Sequence, residues 1–414
     1  MITGPSSTLV NIAENAEMRL IELLSRKASN QTFVQDCENC IANAQASNLI
    51  RTILLDEGAL RSLWEVGVGS DGISAFALLL ALLDRVEDAA DESLLAMEIA
   101  SAIGKQASSV NSEKYAKRMV GMLCFLYNLR CNGLEKCRLL GQIVTVASIA
   151  CPNILTEEGN GELGSLLLPQ TISANMNFWD VDMTEKRSLL SALARAMEAI
   201  GNDKYKQKFW LLLLETFSND AVETIAKDAA AIEVAQNATV GAIRDPISLF
   251  QEQRGMLDLP AVTALKGSSD TNQTHLYNLL SIFLSGKLDD FFTFTKEHAN
   301  ILSQYDISME DATKNIRILS LCSLAAEHNE IPYSVIASTL EIDPSEVESW
   351  VITAGASGLL VARMDQLEQV VMVEKCVVRH FGIEQWKVLQ ERLNSWKKNV
   401  KTVLDGLKSK ELVA

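Results

Sequence analysis

Gly67-Val68-Gly69-Ser70-Asp71-Gly72 has the G-x-G-x-x-G spacing of a loop that cradles a dinucleotide pyrophosphate. That chemistry needs a strand before the glycines and a helix after them, so that backbone amides converge on the phosphates. Leu60–Val66 carries a helical period instead, and no parallel-strand pattern comes after it. Ser70 and Asp71 fit better as the N-cap region of a helix through Ile73. Cys37 and Cys40 form a C-x-x-C, the spacing of a redox pair or of half a zinc site. The next cysteine is Cys124 and the first histidine His275, and no thioredoxin-like βαβ pattern surrounds the pair. Two cysteines at this spacing then simply share a helix face. The histidines His275, His298, His328 and His380 form neither H-x-x-x-H nor H-x-H. Nucleophile-elbow, P-loop and kinase signatures are absent. The chain is therefore expected to be a non-enzyme, with no catalytic residue, cofactor or metal. A nucleotide-dependent enzyme built on Gly67–Gly72 is the alternative from another class.

The elements available to position any group are nearly all helical. The chain has 414 residues, 48% of them hydrophobic and 22% charged, and only seven prolines, which favours long uninterrupted helices. Apolar residues recur on a helical period over Leu9–Lys27, Phe33–Leu55, Ile73–Val86, Ser93–Ala107, Glu113–Arg130, Leu134–Ala150, Thr184–Ile200 and Tyr205–Phe217. Gly, Asn, Asp and Ser cluster at the joints, and the polar loop Thr156–Gly164 is the longest of them. Short joints imply antiparallel pairs, and so many pairs in line imply an α-solenoid without a strict sequence repeat. Helices continue past Asp220, break at Arg244-Asp245-Pro246, and include a hairpin of Thr274–Leu284 and Lys287–Asn300 around Ser285-Gly286. No flexible linker separates this helical part from the segment beginning at Ile316, so the two should pack as one unit.

From Ile316 to Phe381 the pattern is helix, helix, helix, strand, strand, that of a winged helix. Ile316–His328 is the first helix, and Ile331-Pro332 restarts the chain into a second that ends near Leu340. The third has Asp343 as N-cap, Pro344 at its first position, Glu346 three residues after the cap, and Gly358 at its end. Its buried stripe is expected to be Val347, Trp350, Val351 and Ala354. Leu359–Met364 and Val370–Val378 then form a hairpin around Asp365–Gln369. Winged helices commonly read DNA, but this one has four Lys/Arg (Arg317, Arg363, Lys375, Arg379) against nine Asp/Glu. Its third helix carries two glutamates and no cation. Direct sequence-specific DNA binding is excluded on those charges, and the module should meet protein, by a sheet edge or by helix packing.

The last element is the most regular. Trp386, Leu393, Val400 and Leu407 occupy heptad position a, while Leu389, Trp396 and Val403 occupy d. Residues 382–414 hold seven Lys/Arg and four Asp/Glu, so the tail is locally basic in a chain of net charge −16. The seam either docks on the chain's own domain or forms a protein-interaction surface for a partner helix. Acidic residues interrupt the polar face, which makes a membrane-surface role minor. Met1–Val10 has neither the basic start nor the apolar run of a secretory signal, and Ala75–Leu83, the longest strongly apolar run, is far short of a membrane span. A soluble intracellular protein with reduced thiols is expected.

Helical repeats leading into an acidic winged helix and then a terminal helix resemble the PCI family, scaffold subunits of the proteasome lid, the signalosome and translation initiation factor 3. The carrying stretches are Arg244-Asp245-Pro246 before Leu249-Phe250, the hairpin segment His275–Phe283, and Asp343–Ile352. To these are added His380-Phe381-Gly382 leading into Gln385-Trp386 and then Leu393-Asn394-Ser395-Trp396-Lys397. The resemblance covers about Asp220 to Leu407. It implies a mainly α protein: a solenoid of stacked helix pairs (1–219), a helical PCI part (220–315), a winged-helix PCI part (316–381) and a C-terminal heptad helix (382–414). It also implies a non-catalytic cytoplasmic scaffold in initiation factor 3, among other PCI and MPN subunits, with the small ribosomal subunit and mRNA bound by the assembly. A scaffold place in the signalosome or proteasome lid is the alternative within the family.

Overall fold

Asp, Asn and Ser residues stand just ahead of many of the apolar periodic runs, and there they accept backbone amides that a helix leaves unpaired at its start. Asn132 accepts from the Leu134 amide at 3.0 Å, Asp182 from Glu185 at 2.9 Å and Asn202 from Tyr205 at 3.2 Å. Asp228, Asp270 and Ser308 do the same for Ala230, Asn272 and Asp311. The resulting protein is mainly helical. A computed structural model describes residues 16–65, 71–110, 112–156, 164, 166–251, 255–379 and 383–411. Contacts divide the chain into two units, Met1–Thr216 and Phe217–Ala414.

In the first unit most helices pack on a sequence neighbour and several also on a helix further along, the layout of an α-solenoid. Met183–Ala199 lies against both Asp203–Glu215 and Gly133–Ala150, and the latter also holds Glu113–Leu129 and Ala89–Lys105. Trp64, Phe33 and Phe209 are among its largest fully buried side chains. The single periodic run Phe33–Leu55 is in fact two helices, Phe33–Ala42 and Ala46–Leu55. Ala44 turns the chain between them with φ of 52°, a conformation its residue type does not advertise. A further helix, Pro169–Phe178, starts on Pro169. Asp56 is nearly fully buried and accepts amides from Ser29 (2.9 Å), Asn30 (2.8 Å) and Ala59 (2.8 Å). Burial alone would raise its pKa, but the amides of Ser29, Ala59, Asn30 and Gly58 together hold it below the ordinary carboxylate value.

The second unit runs from short helices through Ala229–Arg244 and the hairpin Thr271–Ser285 and Leu288–Glu297 to the winged helix. The helical part and the winged helix pack together. Arg244 donates to the carbonyls of Tyr305 (2.8 Å) and Asp306 (3.0 Å), and Asn315 returns a bond to the Arg244 carbonyl at 3.0 Å. The first winged-helix helix spans Met309–Glu327, starting one turn and more before Ile316 because Ser308 caps it.

Ile331-Pro332 does not open the second helix. Glu330–Pro332 is strand β1, and the helix is Tyr333–Leu340. β1 pairs antiparallel with β3 (Val370–Cys376), which also pairs antiparallel with β2 (Leu360–Asp365), giving the order β1-β3-β2. Pro332 lacks an amide to donate, so it suits this edge position. The start of the third helix also differs. Pro344–Glu346 is a 3-10 turn, Asp343 accepts from the Ser345 amide at 2.9 Å, and α-helix proper covers Val347–Ala356. Gly358, at φ of 75°, closes it in the left-handed conformation expected of its position. Val347, Val351 and Ala354 are buried as the period requires, but Trp350 is only half-buried beneath Arg317.

Candidate protein-docking surface

The solvent face of the third helix is made by Ser349, Ile352, Gly355 and Ala356, with Glu346 exposed at its start. Ile352 is 60% exposed and no cation accompanies it on this helix. Three of the module's four cations, Arg317, Arg363 and Arg379, are engaged by the fold, while Lys375 on β3 is exposed. The Arg317 guanidinium lies 5.5 Å from the Trp350 ring and donates to the Glu341 carbonyl at 3.2 Å. Arg363 pairs with Glu374 at 2.5 Å across the β2–β3 hairpin. Glu348 accepts from Tyr333 Oη (3.3 Å) and Gln366 Nε2 (3.0 Å), which ties the second helix and the hairpin turn to the third helix. A helix meant for the major groove would present donors to base edges and be flanked by phosphate-binding cations. This one presents a small, mostly apolar face with Glu346 and Glu348 at its N-terminal end.

Arg379, the fourth cation, points into the protein. Its guanidinium donates to the carbonyls of Ile282 (3.1 Å) and Phe283 (2.7 Å) and to Ser323 Oγ (3.1 Å). The two carbonyls belong to the last turn of Thr271–Ser285, where intrahelical partners run out and the dipole favours a cation. Burial pushes the Arg379 pKa down to about 10, so it remains charged at neutral pH. Burial likewise pushes the thiol of neighbouring Cys322 up to about 12, which leaves it inert.

Beyond Arg379 comes the tail helix, Ile383–Glu411. Its described side chains from Leu389 to Leu404 are all exposed. Trp386 is 61% exposed, Leu393 55%, Trp396 68% and Val403 63%, while Val400 and Leu389 are less so at 49% and 37%. Leu407 lies in the helix, with its side chain outside those described. The structure thus gathers the heptad positions on one continuous helix, and its apolar residues from Leu389 to Leu404 are exposed to solvent.

The residues with potential chemistry are dispersed. Gly67–Ser70 lie outside the described residues, preceded by the helix Glu57–Glu65 and succeeded by the helix Asp71–Leu83. The element ahead of the glycines is thus a helix, where a dinucleotide loop needs a strand. Cys37 is buried, with its pKa raised to about 12 chiefly by burial, and the Cys40 Sγ lies 4.0 Å from Thr52 Oγ1. His275 and His298, distant in sequence, stack at a ring separation of 3.9 Å, with Phe294 packed on both. Their only sequence signal is that they sit on the two arms of a helical hairpin. No group of three or more metal-ligating side chains occurs among the described residues. Nor is any described helix long and apolar enough to cross a membrane.

Comparison with known proteins respects the same division of the second unit. Residues 290–375, ending at β3, match the family model of the PCI domain. Residues 379–407, from Arg379 through the last a position, match the model described as eIF3 subunit M, C-terminal helix. The chain is 26% identical over 392 residues to Eukaryotic translation initiation factor 3 subunit M of Dictyostelium discoideum, covering 94% of this chain and 92% of that protein. The Nematostella vectensis protein of the same name is 31% identical over 234 residues, 56% of this chain and 58% of its own length. That of Aspergillus terreus is 29% identical over 345 residues, 81% of this chain and 70% of its own. The chain therefore spans nine-tenths of the first relative and little more than half of the second.

Proposed function

We propose that this chain, a member of the PCI-domain family, works as a non-catalytic scaffold subunit of the eukaryotic translation initiation factor 3 complex. Its winged helix meets other PCI subunits through the acidic, cation-free third helix and the sheet beside it. Its tail enters a helical bundle with PCI and MPN subunits through Trp386, Leu389, Leu393, Trp396, Val400, Val403 and Leu407. The assembly, rather than this chain alone, binds the small ribosomal subunit and mRNA in the cytoplasm. Relatives bearing the subunit M name favour this complex over the signalosome or the proteasome lid.

The observation that carries the reading is the uncovered seam, with Trp396 68% exposed on a helix of 29 residues. Large exposed apolar stripes mark interaction sites, and buried aromatic anchors dominate the energetics of such interfaces. Replacing Leu393 and Trp396 together by Ala in the endogenous chain should release it from the complex in native mass measurements, while the chain itself stays folded. A complex of unchanged composition would dispose of the bundle role.

A further inference from the structure

The tail helix specifies the sign of its partner as well as its apolarity. With Trp386 at a and Leu389 at d, the flanking e positions are Gln390, Lys397 and Leu404, and the g positions are Gln385, Arg392 and Asn399. From 385 to 404 the only charges beside the seam are thus Arg392 and Lys397, both cationic and both exposed. Of the four acidic residues of the tail, Glu384, Glu391 and Asp405 fall at f by heptad count, and Glu411, in the last turn, falls at e.

Residues at e and g select partner and orientation in helix–helix association. In a parallel pair of identical tails, g of one helix meets e of the next heptad in the other. Arg392 would then face Lys397 of the second copy, twice by symmetry. In an antiparallel pair e meets e and g meets g, and no carboxylate is available on either flank between 385 and 404. Between 385 and 404, self-pairing in either direction brings no favourable ion pair, and the parallel arrangement sets Arg392 against Lys397. Leu404, 48% exposed at e, and Ile383, 75% exposed at e, widen the apolar face at the two ends of the helix. An a/d/e face belongs in a bundle with more than one neighbour, whereas a strict a/d seam makes a two-stranded coil.

We propose that the tail helix docks against an amphipathic helix of a different protein whose apolar seam is flanked by carboxylates facing Arg392 and Lys397. This rests on the bundle role above and adds the partner's chemistry to it. The flank charges disfavour a second copy of the chain. They also give the central heptad, where the face is narrowest, the task of choosing the partner and its register.

The test uses the full chain and two synthetic heptad peptides with Leu at a and d, one with Glu and the other with Lys at e and g. Titration calorimetry at low salt should show the Glu peptide binding at least tenfold tighter, with the advantage shrinking as salt rises. Arg392→Glu with Lys397→Glu should invert the preference. Arg392→Glu alone should let a parallel second copy pair with Lys397, and so shift the chain toward dimer in sedimentation velocity. Equal affinity for the two peptides, or no binding of either, overturns the charge rule. Wild-type dimerisation that Trp396→Ala abolishes overturns it in favour of a second copy. Trp396-dependent binding to phosphatidylserine vesicles, stronger than to the Glu peptide, overturns it in favour of a membrane surface. Loss of the endogenous complex on Leu393→Ala/Trp396→Ala without any effect of flank reversal would keep the bundle role and remove this inference alone.

Discussion

The third helix of the winged helix and the tail helix are both amphipathic, yet they end up in opposite situations. Val347, Val351 and Ala354 of the third helix are sealed inside the module, its entry is fixed by Asp343, and Gly358 ends it. Leu389 to Val403 of the tail face solvent along their whole length. Periodicity announces that a helix has an apolar partner. It does not say whether the partner lies in the same chain. Length and punctuation do carry that information. A ten-residue helix with turn signals at both ends can close on its own fold, whereas an apolar period sustained over three heptads of a 29-residue helix outruns the domain that launches it.

The largest effect that separates the two should come from the winged-helix core. Leu340, fully buried, packs under the module, and Leu340→Ala should cost about 2–5 kcal/mol in urea unfolding. Leu393→Ala with Val400→Ala, removing at least as many methyl groups from the tail, should change the same measurement by less than about 0.5 kcal/mol. Equal losses would mean that the tail seam is packed within the chain, and the comparison would collapse. Next in size is Arg379→Met, which removes the guanidinium donor from the Phe283 carbonyl and from Ser323 and leaves the Ile282 carbonyl with the Gly286 amide alone. It should cost about 3 kcal/mol. Its hydrogen-exchange signature should appear at the end of Thr271–Ser285 and spare the middle of the tail.

Asp56→Ala in the first unit should cost about 2 kcal/mol at neutral pH by stranding the amides of Ser29, Asn30 and Ala59. The sign with pH comes from its lowered native pKa. The stabilisation is complete above the unfolded value of about 3.9 and disappears as pH falls through the lower native value. The difference between wild type and Asp56→Ala should therefore narrow only in acid; a constant difference would deny the carboxylate its role. The smallest effect is expected at Arg317→Ala, about 0.5–1 kcal/mol from the lost stacking on Trp350. A larger loss would show that Trp350 belongs to the core stripe after all.

Much of this architecture was legible because the signals were local. Capping residues, apolar spacing and Gly358 marked helix after helix to within a few residues. The illegible parts depended on partners distant in sequence. Glu330–Pro332 has too few residues to show alternation and becomes a strand only because β3 lies beside it. Trp350 fits the buried period, but Arg317, on a different helix, holds it at the surface. The turn at Ala44 has no glycine or proline to mark it. Arg379 has the sequence character of a surface cation available to phosphate, and only its carbonyl partners on Thr271–Ser285 reveal otherwise. The stacking of His275 on His298 likewise needed the hairpin to close. For the docking surface, the heptad was readable in full from the chain, while its exposure was not.

The placement of Arg379 has a mechanical consequence. Three bonds root the base of the tail in the helical hairpin and the first winged-helix helix, and residues 380–382 separate that root from a rod about 43 Å long. A rod so mounted is a lever arm. Each ten degrees of tilt at its base would sweep the far end through about 7 Å, more than one helical turn. If a partner gripped Val400 and Val403, a tilt at that root would reach it as a displacement of several ångströms. Arg379 is the side chain that ties this root to the hairpin carbonyls.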